Sequence, residues 1–198
     1  LWVEGQGPLQ TNFHVRIGNR TVVYEGVRFD GLFTPFVRFR MRPASWVRFH
    51  VNGFFGDWVD FTHVLPADRV RLSGGATFNV GRHLELDLTH LYSTLDVNGG
   101  QLFEANAPQL AAVWQFNTRT FFRAIVQFTD IARNQDLYED DIDELSRDYF
   151  VQLLFSYKVN PQTVFFLGYS DGGEENQDIS LTATNRSLFF KIGYAWTW

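Results

Sequence analysis

Residues Arg186 to Trp198 read RSLFFKIGYAWTW, and their alternation decides the fold. Leu188, Phe190, Ile192, Tyr194, Trp196 and Trp198 take one parity, while Ser187, Phe189, Lys191, Gly193, Ala195 and Thr197 take the other. Successive side chains of a strand point to opposite faces. The first set therefore makes a continuous apolar ribbon, and the second a smaller, more polar one. Such a strand calls for lipid on one side and water or protein on the other.

Gly193, Trp196 and Trp198 also resemble the glycine, aromatic, terminal-aromatic assembly signal of outer-membrane barrels. Ile192 departs from that pattern, which usually has a polar residue there. The competing reading is the edge strand of a soluble sandwich, but an exposed aromatic edge invites aggregation.

With 198 residues the chain suits one domain, 1–198, and 45% hydrophobic residues would fill an ordinary core. No stretch reaches the eighteen or so consecutive apolar residues of a membrane helix. A closed antiparallel barrel is then the way left to satisfy the backbone in lipid. The absence of cysteine excludes a disulfide framework and thiolate metal sites. A start on Leu1 without a signal sequence reads as a mature protein or a fragment, and a strand beginning at once favours the fragment. The net charge is −5, and the fifteen arginines with Lys158 and Lys191 are dispersed through strand-like segments, so no nucleic-acid footprint emerges.

Register across short turns tests the β reading. A three-residue turn at 160–162 sets Tyr157 against Phe165, Phe155 against Leu167 and Leu153 against Tyr169, apolar to apolar. A slip of one residue would break this agreement. Turns at 81–83 and 117–119 likewise bring Val80, Phe78 and Ala76 to Leu84, Leu86 and Leu88, and Trp114 and Ala112 to Phe122 and Ala124. Further turns are expected at 18–20 and 43–45. Longer polar connections are expected at 56–68, 96–108, 132–147 and 171–185. Tight turns alternating with long loops match the periplasmic and extracellular ends of an outer-membrane barrel. The expectation is an all-β, antiparallel, up-and-down transmembrane β-barrel, alone or as part of a larger one. About twelve strands are expected, at 1–6, 10–18, 20–29, 32–42, 46–56, 68–80, 83–95, 102–116, 120–132, 148–159, 163–171 and 186–198. Trp114, Tyr157, Tyr194, Trp196 and Trp198 suit interfacial girdles.

The polar parity carries the candidate site. Arg38 and Arg40 sit two apart, and a turn at 43–45 sets Arg48 against Arg40 and His50 against Arg38. Arg69 and Arg71 follow, with Glu85 and Asp87 on the next strand as partners; Arg123, Lys158 and Lys191 share the face. Like charges in register repel unless offset. The wall is read either as a pore lining that selects or holds an anionic or sugar-like solute, or as a salt-bridged, closed interior. His83, Glu85 and Asp87 alternate on one face but lack a second ligating strand, so no metal or other cofactor is expected. The acidic window 136–148 reads as a solvated loop or short surface helix without the glycine and oxygen spacing of an EF-hand. No nucleophile motif stands out, so an enzyme is not expected.

The runs QFNTRTFFRAIVQFTDIARN (Gln115 to Asn134), LLFSYKVNPQTVFFLGYSD (Leu153 to Asp171) and RSLFFKIGYAW (Arg186 to Trp196) resemble the C-terminal part of an uncharacterised bacterial family. Its members carry a secretion signal and a family-9-like carbohydrate-binding domain before a membrane barrel. The resemblance covers about the last hundred residues and implies an outer-membrane location. It also suggests a sugar-binding domain and earlier strands upstream; the partners expected of an outer-membrane barrel are lipid, lipopolysaccharide and the barrel-assembly machinery that would read Gly193, Trp196 and Trp198. The functions expected are a pore or uptake component for sugars or other small solutes, or a non-conducting anchor that docks a sugar-binding domain or partner. A soluble β-sandwich or barrel that binds a ligand is the third.

Overall fold

Alternation turns into ladder along nearly the whole chain. The computed structural model describes residues 1–98, 100–178 and 180–195. Its strands are β1 (Trp2–Gly7), β2 (Thr11–Arg16), β3 (Asn19–Tyr24), β4 (Val27–Phe33), β5 (Phe36–Ala44), β6 (Val47–Asp60), β7 (Leu65–Val80), β8 (Leu84–Val97), β9 (Gly100–Asn117), β10 (Thr120–Arg133), β11 (Leu145–Asn160), β12 (Thr163–Asn176) and β13 (Thr182–Tyr194). Eleven of them form one antiparallel sheet, ordered β1-β2-β5-β6-β7-β8-β9-β10-β11-β12-β13, and β3 pairs with β4. β1 and β13 are its two edges. Trp196 and Trp198 of the expected assembly signal lie outside the described residues; Gly193 pairs with Val164 on β12.

The expected hairpin at 18–20 is not formed. Instead β2 runs on into β3, and β4 into β5, as one long bent hairpin. Arg16 faces Phe36, Asn19 faces Phe33 and Arg20 faces Leu32 in an unbroken register, and Thr34 N donates to Gly18 O at 2.9 Å across the gap. Pro35, which has no N–H, interrupts the ladder without ending the pairing. The reversal comes at Glu25 and Gly26, both at positive φ, 48° and 80°. That two-residue geometry suits a twisted hairpin.

The turn at 81–83 forms as expected, with Val80 facing Leu84 and Phe78 facing Leu86. At the next two turns the expected partners meet, but through a tighter turn. Asn117 pairs with Thr120 and Asn160 with Thr163, and a register shift beside each restores Trp114–Phe122 and Tyr157–Phe165. A two-residue turn plus one bulged residue gives the same count as a three-residue turn. The turn at 43–45 is displaced. Ala44 pairs with Val47 across Ser45 and Trp46, and Pro43 sits where the register shifts. A bulge tolerates a proline that the ladder does not. His50 therefore faces Arg40 and Asn52 faces Arg38, rather than Arg48–Arg40 and His50–Arg38.

The strands also run further than expected at the opposite end. Pairing of β6 with β7 continues to Asp60–Leu65, and that of β8 with β9 to Val97–Gly100, so 56–68 and 96–108 are mostly ladder rather than loop. Polar side chains do not prevent backbone pairing once strands leave an apolar layer. A longer connection remains at residues 134–144, where Gln135–Leu137 form one 3₁₀ turn capped by the Asn134 side chain. The acidic window is split, since its end from Leu145 belongs to β11.

One face of the sheet is apolar from strand to strand. Phe39, Val51, Leu72, Leu88, Leu110, Val126, Leu153, Leu167 and Leu188 share it through direct cross-strand partners and their same-parity neighbours. Many of these are exposed, Leu188 by 74% and Phe190 by 60%. Trp114, Tyr157 and Tyr194 border it near the tight turns, and Tyr92, Tyr149 and Tyr169 towards the other end. Aromatic rings also lie over cross-strand glycines: Phe13 over Gly5, Tyr149 over Gly173 and Phe189 over Gly168.

Candidate pore wall

The other face holds the candidate site, because cross-strand partners share a face. Along β6 the partners run from Arg48 beside Thr77, through His50 beside Arg40 and Asn52 beside Arg38, to Phe54 beside Arg71 and Gly56 beside Arg69. The arginines thus climb the wall as a diagonal ladder. His14 continues the row outward from Arg38. Arg40, Arg42, Arg48 and His50, with Asn52 and Thr77, line a cavity of about 480 Å³ near the tight turns. Gly75 stands beside His50, where an added Cβ would lie 2.5 Å from His50 Cε1.

Glu85 and Asp87 lie on the same face but do not neutralise the ladder. Asp87 accepts from Thr77 Oγ1 at 2.7 Å. Among the described residues the ion pairs are Glu4–His14, Arg28–Asp30, His63–Asp60, Asp171–Arg186 and those of Arg147 with Asp130 and Glu175; none includes an arginine of the ladder. Arg38 Nε donates to Asn52 Oδ1 at 3.1 Å instead. Arg123 lies apart on β10, donating to Gln152 Oε1 at 3.0 Å. Lys158 faces Val164 and Lys191 faces Phe166, further round the same face. His83 is in a turn, its Nδ1 2.6 Å from Gln115 O and its ring stacked on Trp114. Among the described residues no group of His, Cys, Asp and Glu is placed to hold a metal ion.

Arg20 and Arg42, left out of the sequence reading, belong to this wall. Their parity was the available signal: Arg42 follows Arg40 by two, and Arg20 follows Arg16 and Gly18 along one continuous run. The expected turn at 18–20 hid the second relation.

The connection 134–144 folds onto the same face. Leu137 and Tyr138 pack with Trp58 and Phe103 against Ala67, Leu95 and Leu102. Leu95 faces both Arg69 and Phe103, which fixes the side. Tyr138 also meets the His63 ring, 5.8 Å between centroids, beside the buried Asp60. Burial pushes the Tyr138 phenol up; Arg133 opposes this and Asp60 adds to it.

On the apolar side, beyond the aromatic border, the surface turns charged. Tyr149 and Tyr169 each donate to Asp171 at 2.7 Å, and Arg186 Nε donates to it at the same distance. Arg147 bridges Asp130 and Glu175, at 3.4 and 3.7 Å.

A broad apolar belt on one face, an arginine-rich opposite face and an up-and-down order match the pattern of an outer-membrane barrel. OmpT, an outer membrane protein of Vibrio cholerae folded in vitro, superposes with a TM-score of 0.60 at 14% identity, covering 98% of this chain and 63% of that one. The outer membrane channel DcaP of Acinetobacter baumannii does so with a TM-score of 0.62 at 12% identity, covering 98% and 61%. The fold is that of an outer-membrane β-barrel. The chain spans less than two thirds of the length of both proteins. No family model and no curated relative matches it.

Proposed function

We propose that this chain forms the wall of an outer-membrane pore that passes or holds small anionic solutes, without chemistry of its own. The arginine ladder on the polar face carries this reading, because its charges have no carboxylate partners among the described residues. Unpaired guanidinium groups along a confined wall raise the local concentration of anions. A salt-bridged interior would instead pair each arginine with Glu85, Asp87 or another acid. The apolar belt supports the location, because lipid covers it without the cost of exposing it to water. Passage of sugars rests on the family resemblance alone, as does an upstream sugar-binding domain.

Reconstitution into planar bilayers tests the proposal. Stepwise conductance with preference for chloride over potassium is the expected result. A folded protein that gives no conductance would sink it and leave the anchor reading, which the packing of Leu137 and Tyr138 across the polar face favours.

A further inference from the structure

Trp58 carries two positive charges. The guanidinium carbon of Arg20 lies 4.2 Å from its ring centroid and that of Arg69 4.9 Å. Phe54 and Phe61 meet the same ring edge-on, at 5.1 and 6.3 Å. The three residues come from different parts of the chain. Arg20 rides on the long bent hairpin opposite Leu32, Trp58 sits on β6 opposite Ala67, and Arg69 stands on β7 opposite Gly56. The ring attracts each cation through its face, and Arg71 stands two residues from Arg69 on the same face.

Among the described residues no carboxylate pairs with either arginine. The Nε atoms of Arg20 and Arg69 are both buried and have no hydrogen-bond partner. Buried donors without acceptors are uncommon and call for an explanation. Three carboxylates of the neighbouring elements are engaged elsewhere. Asp60 holds Thr62 N and His63, Asp57 accepts from Phe33 N, and Asp30 holds Arg28 and Thr21. Two planar forks held against one ring, each with an Nε short of an acceptor, suit the chemistry of a carboxylate or phosphate group.

We propose that Arg20 and Arg69, held on Trp58, form a binding site for the oxyanion group of a small solute, at the end of the ladder away from the tight turns. Any role in passage rests on the pore reading; binding itself does not. An incoming oxyanion supplies an acceptor to this group of cations and offsets their charge. The ladder of Arg71, Arg38, Arg40 and Arg48 then leads from this site towards the tight turns.

The experiment uses detergent-folded protein titrated with inorganic phosphate and with succinate, read by calorimetry and by tryptophan fluorescence. Saturable binding is expected, with a fluorescence change that W58F lacks. R20Q/R69Q should bind about tenfold more weakly or worse, the loss of at least one charged hydrogen bond. R20K/R69K keeps the charges over the ring and removes the fork, so it should fold and still bind more weakly. Absence of binding by the wild type, or equal binding by R20Q/R69Q or R20K/R69K, overturns the site. Binding without conductance would sink the pore and keep the site; conductance without binding would do the reverse.

Discussion

The Phe189 ring lies over Gly168, its direct partner across the β12–β13 ladder, so closely that a Cβ on Gly168 would overlap it. Phe189 is the large apolar residue on an otherwise small and polar face of β13, and the glycine is what lets it lie flat on the sheet. G168V should therefore displace the ring and destabilise the folded protein by about 1–3 kcal/mol. The urea midpoint of unfolding in detergent measures this, and F189A/G168V should recover part of the loss.

The two faces differ in what they tolerate. Leu110 lies on the apolar face between Leu88 and Val126, whereas Gln109 lies on the polar face beside Thr89. L110R should cost about 2–4 kcal/mol in lipid, and Q109R much less. Equal losses in the same urea series would assign the faces wrongly.

Selectivity should follow the ladder. Replacing Arg38, Arg40, Arg48, Arg69 and Arg71 with glutamine should lower the chloride preference roughly tenfold or bring it to unity. Reversal potentials in a salt gradient give the ratio. The same change at Arg28, held by Asp30 on the β3–β4 hairpin, should leave it alone.

Leu137 and Tyr138 hold residues 134–144 against the polar face. L137A/Y138A should free that connection, seen as cleavage at Glu139 by a glutamyl endopeptidase several times faster than in the wild type. The phenol adds a pH signature, because burial raises its pKa above the unfolded value. The contribution is complete below about pH 10 and is lost as pH rises through the folded value. Tyrosinate absorbance of the wild type minus that of Y138F should accordingly titrate above pH 10.

Much of this was legible because period-two alternation is written residue by residue. Tyr157–Phe165, Phe78–Leu86 and Trp114–Phe122 meet as read, even where a bulge replaces a longer turn. The misreadings cluster at turn-forming residues and at the far strand ends. Pro43 drew the turn two residues early, and Gly18 and Asn19 drew a turn inside one long hairpin. The far ends of β6 to β9 passed for loops because their apolar residues, such as Trp58 with Val59 and Leu102 with Phe103, come side by side and do not alternate.

The face of each candidate residue was therefore settled by the sequence, and its neighbours were not. A slip of one residue moves every side chain to the wrong face, and the hydrophobic pattern forbids it. A slip of two keeps every face and changes every partner, so alternation does not register it. That is the difference between Arg40 facing Arg48 and Arg40 facing His50. Only the tertiary structure, through a bulge at Pro43 and a hairpin that carries Arg20 to Trp58, decided which charges stand together.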